Sequence, residues 1–321
     1  MRARLRQLSD YPERVRVREV GPRDGFQNEP ERIATEDKIR LIDRLARTGL
    51  AHIEVASFVR PDVIPQLDDA IAVLDGIDVP VDVALSVLVP NERGLQTALE
   101  HKNRFHEVAI FLSASETHNR KNVNRSIEES LEALERMVPV IKNEGLRCSA
   151  VIATSFGCPY EGPVEPAKVF EIGGRLAAAG IDELGFGDTT GMANPRQVRE
   201  FFGQAFGELS GLELTAHFHN TRGQGLANVL AALETGVRSF ESSFGELGGC
   251  PVPPGSTGNI ATEDLISMLH EMGIETGVDL DALIEASRAV QEVLGRRLTS
   301  HVIVAGPVGW GRREVLGQAP T

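Results

Sequence analysis

Residues 212–235 read Leu212-Glu-Leu-Thr-Ala-His-Phe-His219, then Asn220-Thr-Arg-Gly223, then Gln224-Gly-Leu-Ala-Asn-Val-Leu-Ala-Ala-Leu-Glu-Thr235. The first part is an apolar, β-prone run that predicts a strand, and the last part has the composition and length of a helix. A strand followed directly by a helix is one βα unit, the building block of parallel sheets.

The same unit recurs along the chain, at a spacing of roughly 25 to 40 residues that is typical of βα repeats. The predicted strands are Val15–Val20, His52–Phe58, Val81–Leu88, His106–Leu112, Cys148–Thr154, Glu183–Asp188, Leu212–His219 and Arg238–Phe244. An open doubly wound sheet would usually carry a glycine-rich phosphate fingerprint after its first strand. The eight units, without such a fingerprint there, predict an α/β fold of the (β/α)8 TIM-barrel class.

The sequence outside the repeat divides the chain further. Residues 1–14 precede the first strand as an N-terminal arm, and the barrel extends over 15–275. The apolar spacing of Leu283, Ile284 and Val290 predicts an extra C-terminal helix within 276–298. Residues 299–321 are expected to form a loose tail.

Composition excludes several classes of function. The net charge of −13 argues against nucleic acid or an anionic membrane as the main partner. No apolar run approaches the length of a membrane span, and the first residues lack the apolar core of a signal peptide. Three cysteines without a close pair favour free thiols in a reducing compartment, so we expect a cytoplasmic protein.

Chemistry-bearing side chains collect at the carboxyl ends of the predicted strands, which is where barrels of this class build their sites. His217 and His219 lie two residues apart on one strand, so both imidazoles point to the same face, as two ligands of one metal would. Two polar side chains at a strand end are the commoner explanation of such a pair taken alone. Arg23 and Asp24 follow the first strand, Glu54 lies in the second, and Asp188 ends the sixth.

A long Gly- and Pro-rich loop, Leu247–Asn259, follows the last strand and carries Cys250. Asp24 could simply be a turn residue and Asn259 a helix cap. Together with the two histidines, however, they form a set of two nitrogen and two oxygen donors on one rim. Such a set suits Mg²⁺ or Mn²⁺, with Zn²⁺ and Fe²⁺ as alternatives. The predicted metal ligands are Asp24, His217, His219 and Asn259.

Several strings resemble the hydroxymethylglutaryl-CoA lyase family of the DRE-TIM metallolyase group, over about Val15 to Leu294. The shared strings are Gly21-Pro-Arg-Asp-Gly-Phe-Gln-Asn28, His217-x-His219, Gly248-Gly-Cys-Pro251 and Gly258-Asn-Ile-Ala-Thr-Glu-Asp264. The resemblance implies a carbon–carbon lyase that uses Mg²⁺ or Mn²⁺ to split a 3-hydroxyacyl-CoA by retro-Claisen chemistry. For 3-hydroxy-3-methylglutaryl-CoA the products are acetyl-CoA and acetoacetate. It also implies a homo-oligomer, with a dimer favoured.

The resemblance also implies a role for each matching residue. Asp24, His217, His219 and Asn259 match the metal site, Arg23 the residue that holds the thioester oxygen, and Cys250 a mobile-loop thiol near the nascent carbanion. Glu54 and Asp188 match acidic residues close to the reaction centre, and Asn122 and Ser126 match residues near the nucleotide. The chemistry requires these types: Asp24 or His217 can take the C3 hydroxyl proton, and Arg23 can stabilise an enolate.

The chain departs from the family pattern at a few positions, which are Pro30, Arg60, Asn220, Arg222, Glu241 and Val252-Pro-Pro254. Because the metal set is unchanged, the type of reaction is better supported than the substrate. Arg60 and Arg222 are expected to add positive charge at the rim. Citramalyl-CoA or a longer 3-hydroxy-3-alkylglutaryl-CoA is therefore an alternative substrate. A Claisen synthase that condenses acetyl-CoA with a 2-oxo acid and a non-catalytic binding barrel are weaker alternatives.

Overall fold

Eight parallel strands close into a single barrel in chain order, which confirms the predicted (β/α)8 class. The computed structural model describes residues 11–249 and 258–309. The strands are β1 (Arg16–Glu19), β2 (His52–Ser57), β3 (Ala84–Leu88), β4 (Glu107–Ser113), β5 (Arg147–Ala153), β6 (Glu183–Asp188), β7 (Glu213–Phe218) and β8 (Ser239–Ser242). Each lies within or close to its predicted range.

The helices surround the barrel and cover its apolar outer surface. They are α1 (Thr35–Leu45), α2 (Ala70–Gly76), α3 (Glu92–Leu99), α4 (Glu116–Val123), α5 (Ile127–Asn143), α6 (Pro166–Ala179), α7 (Pro195–Glu208), α8 (Gly225–Leu233), α9 (Thr262–Glu271), α10 (Leu280–Leu294) and α11 (His301–Ala305). Helix α5 begins with a capping box, because Ser126 and Glu129 bond to each other's backbone N–H.

Helix α4, between β4 and α5, was not predicted from the sequence. Its apolar face is weak, so periodicity did not reveal it. The side chain of Ser115 caps its first turn by accepting the N–H of His118 at 3.2 Å. Asn124, in the left-handed conformation with φ of 54°, ends it.

Closure of the barrel joins β1 to β8, with Glu19 opposite Ser242 at the carboxyl end. The buried carboxylate of Glu19 accepts the backbone N–H groups of Gly21 at 2.7 Å and Phe244 at 3.1 Å, and the hydroxyl of Thr262 at 2.7 Å. Burial raises the pKa of Glu19 to about 8. One side chain thus ties the turn after β1 to the loop after β8 and to the start of α9.

Strand β7 alternates as predicted, which orients the histidine pair. Phe218 is fully buried, with its ring centroid 5.8 Å from that of Phe156. Phe156 in turn packs against Phe201 of α7 at 4.8 Å. Because side chains alternate across a strand, His217 and His219 point to the opposite side, into the barrel.

The amino end of the barrel interior is filled by charged side chains. Arg18 donates to Glu107 at 2.5 Å and to Glu183 at 2.9 Å, and all three side chains are 3% exposed or less. Ser149 donates to the same Glu107 oxygen at 2.6 Å. A buried ion pair is tolerated when such bonds satisfy its members.

The predicted extra C-terminal helix is α10, but the predicted loose tail is wrong for residues 300–305. Asp264 accepts the hydroxyl of Ser300 and the N–H of Val302, both at 2.8 Å, and the N–H of His301 at 3.0 Å. These bonds cap α11, which therefore folds against α9. Arg296, in the linker before it, pairs with Glu29 at 2.5 Å. We name residues 296–305 the C-terminal strap. Residues 1–10 of the predicted N-terminal arm and the tail beyond 309 lie outside the described residues.

Asp264→Ala is expected to lower the free energy of unfolding by about 1–3 kcal/mol, because it removes the acceptor of a helix cap and strands partly buried donors. Urea unfolding measures the change. The control is Glu285→Ala, which removes an exposed ion pair with Arg288 and should cost less than about 0.5 kcal/mol. Equal losses for the two variants would contradict the role of Asp264.

Candidate active site

A cavity of about 640 Å³ opens at the carboxyl end of the barrel. This is the face on which the sequence predicted a site. The predicted site residues that line it are Arg23, Asp24, Glu54, Asn122, His217 and His219. The remaining lining includes an apolar wall of Pro30, Val59, Val63, Ile64 and Pro65.

The turn after β1 places Arg23 beside two carboxylates. Residues Gly21–Gly25 form one turn of π-helix, a rare local geometry that often marks functional sites. Arg23 donates through Nε to Glu54 and through Nη1 to Asp24 at 2.6 Å. Burial opposes the charge of Arg23, but Glu54 and Asp24 raise its pKa further, so the guanidinium remains a cation.

Gly21 is required at the start of that turn, because a Cβ there would lie 2.5 Å from the ring of Phe244. The carboxylate of Asp24 also accepts from Gln27 at 2.7 Å. Burial alone would raise the pKa of Asp24, but Arg23 and the two imidazoles hold it below its ordinary value. The Asp24 side chain is therefore an anion facing the cavity.

The predicted metal ligands come together. One ligand atom from each of Asp24, His217 and His219 lies within 4.8 Å of the others, and the two histidine Nε2 atoms are 3.0 Å apart. Asn259 donates through Nδ2 to Asp24 at 2.7 Å, while its Oδ1 is buried without a well-formed hydrogen bond among the described residues. Two facing imidazole nitrogens can share only one proton, and an orphaned buried oxygen needs a positive partner. The donor set therefore fits a divalent cation.

Backbone pairing holds Asn259 in place. The segment around it bonds to the end of β7, with the N–H of Ile260 donating to Phe218 at 3.1 Å. The amide Nδ2 also donates to the carbonyl of Leu247 at 3.0 Å, which leaves Oδ1 as its unused end. The last strand and its loop thus bring this oxygen to the first strand.

Glu241 is a site residue that the sequence analysis did not identify as one, since it was noted only as a departure from the family pattern. Its Oε2 lies 2.9 Å from Nδ1 of His217, its register neighbour across β7 and β8. Burial would raise the pKa of Glu241, but the His217 bond lowers it below its usual range. A carboxylate on the far nitrogen fixes the tautomer and the ring orientation of a ligating histidine.

Asp188 ends β6 as predicted but is not among the residues that line the cavity. Its Oδ1 accepts the N–H groups of Met192 at 2.7 Å and Ala193 at 3.0 Å. Burial raises its pKa to about 7, and the charge of His217 is near enough to oppose that rise. The carboxyl group shapes the loop after β6.

Arg60 and Arg222, which were expected to add positive charge at the rim, are not among the residues that line the cavity. Arg60 forms an exposed pair with Asp62 two residues away. Arg222 donates to the carbonyls of Thr190 and Gly191 at 2.8 Å each. Both guanidinium groups are thus engaged by their own neighbours, and Arg222 holds the loop that follows Asp188.

Of the two residues that the family resemblance places near the nucleotide, one lines the cavity and the other does not. Asn122 lies on α4 and lines the cavity, whereas Ser126 does not line it and uses its hydroxyl oxygen to accept the N–H of Glu129 at 3.1 Å. Cys250 lies outside the described residues, and its assigned role stays a prediction.

A (β/α)8 barrel with this donor set at its carboxyl end defines the class of metal-dependent barrel enzymes. The chain belongs to the HMGL-like family, whose model matches residues 14–290. It is 48% identical over 290 residues to a hydroxymethylglutaryl-CoA lyase of Bacillus subtilis, covering 90% of this chain and 96% of that one. It is 42% identical to the mitochondrial hydroxymethylglutaryl-CoA lyase of Bos taurus, covering 93% and 91%.

A solved structure extends the similarity to a ligand complex. The HMG-CoA lyase of Acinetobacter baumannii, in complex with coenzyme A and 3-methylmalate, superposes with a TM-score of 0.89 at 40% identity, covering 98% of this chain and all of that one. The resemblance drawn from the sequence motifs is therefore confirmed. Across the residues that the structure describes, no helix combines the length and apolarity needed to cross a membrane.

Gly248→Ala is expected to weaken Mn²⁺ binding about 10- to 100-fold, because a Cβ there would lie 2.7 Å from Nδ2 of Asn259 at a residue with φ of +94°. Titration of the metal-free protein with Mn²⁺, followed by electron paramagnetic resonance, measures the affinity. Gly145→Ala is the matched control: its φ is +77°, but nothing lies within 4 Å of the added Cβ. It should cost stability alone, and equal Mn²⁺ affinities for the two variants would contradict the packing argument.

Proposed function

We propose that this protein is a divalent-metal-dependent carbon–carbon lyase that cleaves 3-hydroxy-3-methylglutaryl-CoA to acetyl-CoA and acetoacetate. The observation that carries the proposal is the contact of Arg23 with Glu54 and Asp24, directly beside the Asp24, His217 and His219 cluster. One cavity thereby offers a fixed cation, two carboxylates and a metal donor set. Membership of the HMGL-like family supports the same reaction.

The reaction needs a base and an electron sink. The C3 hydroxyl gives up its proton, the C2–C3 electron pair moves to C2, and C3 becomes a ketone carbon. The C2 fragment is then the enolate of a thioester, which takes up a proton to become acetyl-CoA. Asp24, His217, His219 and Asn259 would hold the metal, which as a Lewis acid lowers the pKa of an alcohol that binds it.

Asp24 and His217 are our candidates for accepting the hydroxyl proton. Asp24 is ionised and faces the cavity, so it can accept a proton from an alcohol at hydrogen-bond distance. Glu241 holds Nδ1 of His217, so His217 could accept the proton only through Nε2, at a stage when that nitrogen is not a metal ligand. Glu54, whose pKa burial raises, keeps the guanidinium of Arg23 in place.

Arg23 stabilises the enolate in this proposal. Its Nε and Nη1 hydrogens bond to Glu54 and Asp24, so Nη2 is the part of the cation that a thioester oxygen would meet. A buried, preorganised cation is worth more to a developing oxyanion than one in water. We assign the protonation of C2 to the thiol of Cys250, by family resemblance.

The acyl-CoA partner follows from the family and from the coenzyme A complex of the relative from Acinetobacter baumannii. We propose that Asn122 lies near the nucleotide, as the family match indicates, and that Ser126 shapes that region as the cap of α5. Asp188 is proposed to be an acidic residue near the reaction centre.

We propose Mg²⁺ or Mn²⁺ as the metal ion. We also propose that the protein forms a homodimer and that it is located in the cytoplasm.

A bulkier 3-hydroxy-3-alkylglutaryl-CoA is a second candidate substrate. The observation that favours it is the apolar wall of the cavity, to which Pro30, a departure from the family pattern, contributes. A substrate with an additional carboxylate has less support, because Arg60 and Arg222 do not line the cavity. Citramalyl-CoA has a single carboxylate, as 3-hydroxy-3-methylglutaryl-CoA does, but one carbon closer to the hydroxyl-bearing carbon.

A panel of thioesters tests the proposal. The protein is incubated with Mg²⁺ or Mn²⁺ and with 3-hydroxy-3-methylglutaryl-CoA, citramalyl-CoA or a longer 3-hydroxy-3-alkylglutaryl-CoA, and the products are identified by mass. We expect acetyl-CoA and acetoacetate from the first, and no product when the metal is chelated. Faster cleavage of another thioester would reassign the acyl group. Release of thiol from acetyl-CoA in the presence of 2-oxo acids would instead indicate a synthase.

Arg23→Met is expected to lower kcat/KM by about 10²–10³-fold, because it removes the cation that faces the enolate oxygen. Mn²⁺ should still bind, because all four proposed ligands remain, with an affinity changed by about 10-fold through loss of the Arg23–Asp24 bond. Steady-state kinetics and Mn²⁺ titration separate the two effects. Arg60→Met is the control, because that guanidinium is exposed and pairs only with Asp62 among the described residues. Near-normal turnover in Arg23→Met would refute the assignment.

A further inference from the structure

Three polar side chains form a row across three neighbouring strands, and one of them is the proposed metal ligand His217. His217 of β7 is the register partner of Glu241 of β8, and Glu241 is the register partner of Arg18 of β1. All three side chains are at least largely buried, with exposures of 12%, 10% and 3% in that order. The barrel backbone itself therefore sets this row, since register partners on adjacent strands present neighbouring side chains.

Arg18 has one donor left over from its other contacts. Its Nη2 and Nη1 groups bond to Glu107 and Glu183 at 2.5 and 2.9 Å. Its Nε is buried and has no hydrogen-bond partner among the described residues. Oε1 of Glu241 lies 3.7 Å from this Nε. A buried N–H that has no hydrogen-bond partner attracts a neighbouring carboxylate electrostatically.

The carboxylate of Glu241 is attracted by two cations, Arg18 and Arg23. The site requires it to keep its hydrogen bond to His217 and not to move toward Arg23. Its Oε2 bonds to Nδ1 of His217, and both Arg18 and Arg23 attract its charge. Arg23 is held by Glu54 and Asp24 in the arrangement that the lyase reaction uses. A Glu241 carboxylate drawn toward Arg23 would lose the His217 bond and disturb the cation at the same time.

We propose that Arg18 is a positioning residue for the metal ligand His217, acting through Glu241. The guanidinium of Arg18 attracts Oε1 of Glu241, so Oε2 keeps its hydrogen bond to Nδ1 of His217. The Nδ1 proton stays in place, and Nε2 stays directed at the metal donors. The inference rests on the metal set of the proposed function, but its structural part concerns the imidazole ring alone.

Two variants of Arg18 test the proposal. Arg18→Met leaves Glu107 and Glu183 without their buried cation and will lower stability. Arg18→Lys keeps a charge between those two carboxylates but has no Nε–H at this position. Arg16→Met is the matched control: Arg16 also donates to Glu183, at 2.8 Å, but no contact joins it to Glu241 among the described residues.

The first measurement is made without metal. Nitrogen-15 spectra of the histidine side chains, assigned with a His217→Gln variant, report the tautomer of His217. We expect the Nδ1–H form in the unaltered protein and in Arg16→Met, and a mixture of tautomers in Arg18→Lys. An unchanged His217 tautomer in folded Arg18→Lys overturns the proposal.

The second measurement is a double-mutant cycle on Mn²⁺ affinity. Arg18→Lys and Glu241→Gln should each weaken Mn²⁺ binding about 10-fold or more, and Arg16→Met by less than about 2-fold. Arg18→Lys added to Glu241→Gln should have no further effect, because the path through the carboxylate is already broken. Additive losses overturn the proposal. If no thioester is cleaved while the tautomer shifts as expected, the lyase function fails and the positioning role stands.

Discussion

The pairing of β1 with β8 is the constraint on which the rest of the structure depends. It brings the turn that carries Arg23 and Asp24 next to the loop that carries Asn259, although these parts lie at opposite ends of the repeat. The buried carboxylate of Glu19 secures the junction with three hydrogen bonds, each to a different segment. A buried carboxyl group without hydrogen-bond partners would be costly, so the three donors stabilise the closed barrel.

The polar side chains inside the barrel form two groups with different functions. At the amino end, Arg18 forms ion pairs with Glu107 and Glu183, which fill the interior with compensated charges and leave only Nε of Arg18 without a hydrogen bond among these groups. At the carboxyl end, the oxygen of Asn259 and the facing nitrogens of the histidine pair are left incompletely satisfied, as a site awaiting a cation requires. Glu241 lies between the two layers and contacts both.

The repeat of strand and helix was sufficient to predict the fold, because each unit carries its own local signals. The candidate metal donors could be grouped from the sequence because barrel topology gathers strand ends on one face. Glu241 could not be recognised as a partner of His217, since only the register of β7 and β8 makes them neighbours. The contacts of Arg60 and Arg222 were equally hidden, because a charge in the sequence does not reveal which nearby carboxylate or carbonyl engages it. Helix α4 depends on its cap rather than on an apolar face.

The Asp24–Asn259 contact also has a consequence for the order in which the protein is made. The two residues are 235 positions apart, so a nascent chain carries the Arg-Asp turn long before its partner is synthesised. Only one of the four proposed donors, Asp24, is present during that time, and a cation cannot yet distinguish it from any other acidic turn. Metal that binds only the closed barrel will stabilise the finished chain over every shorter one. The ion that serves the reaction thus also favours completion of the fold.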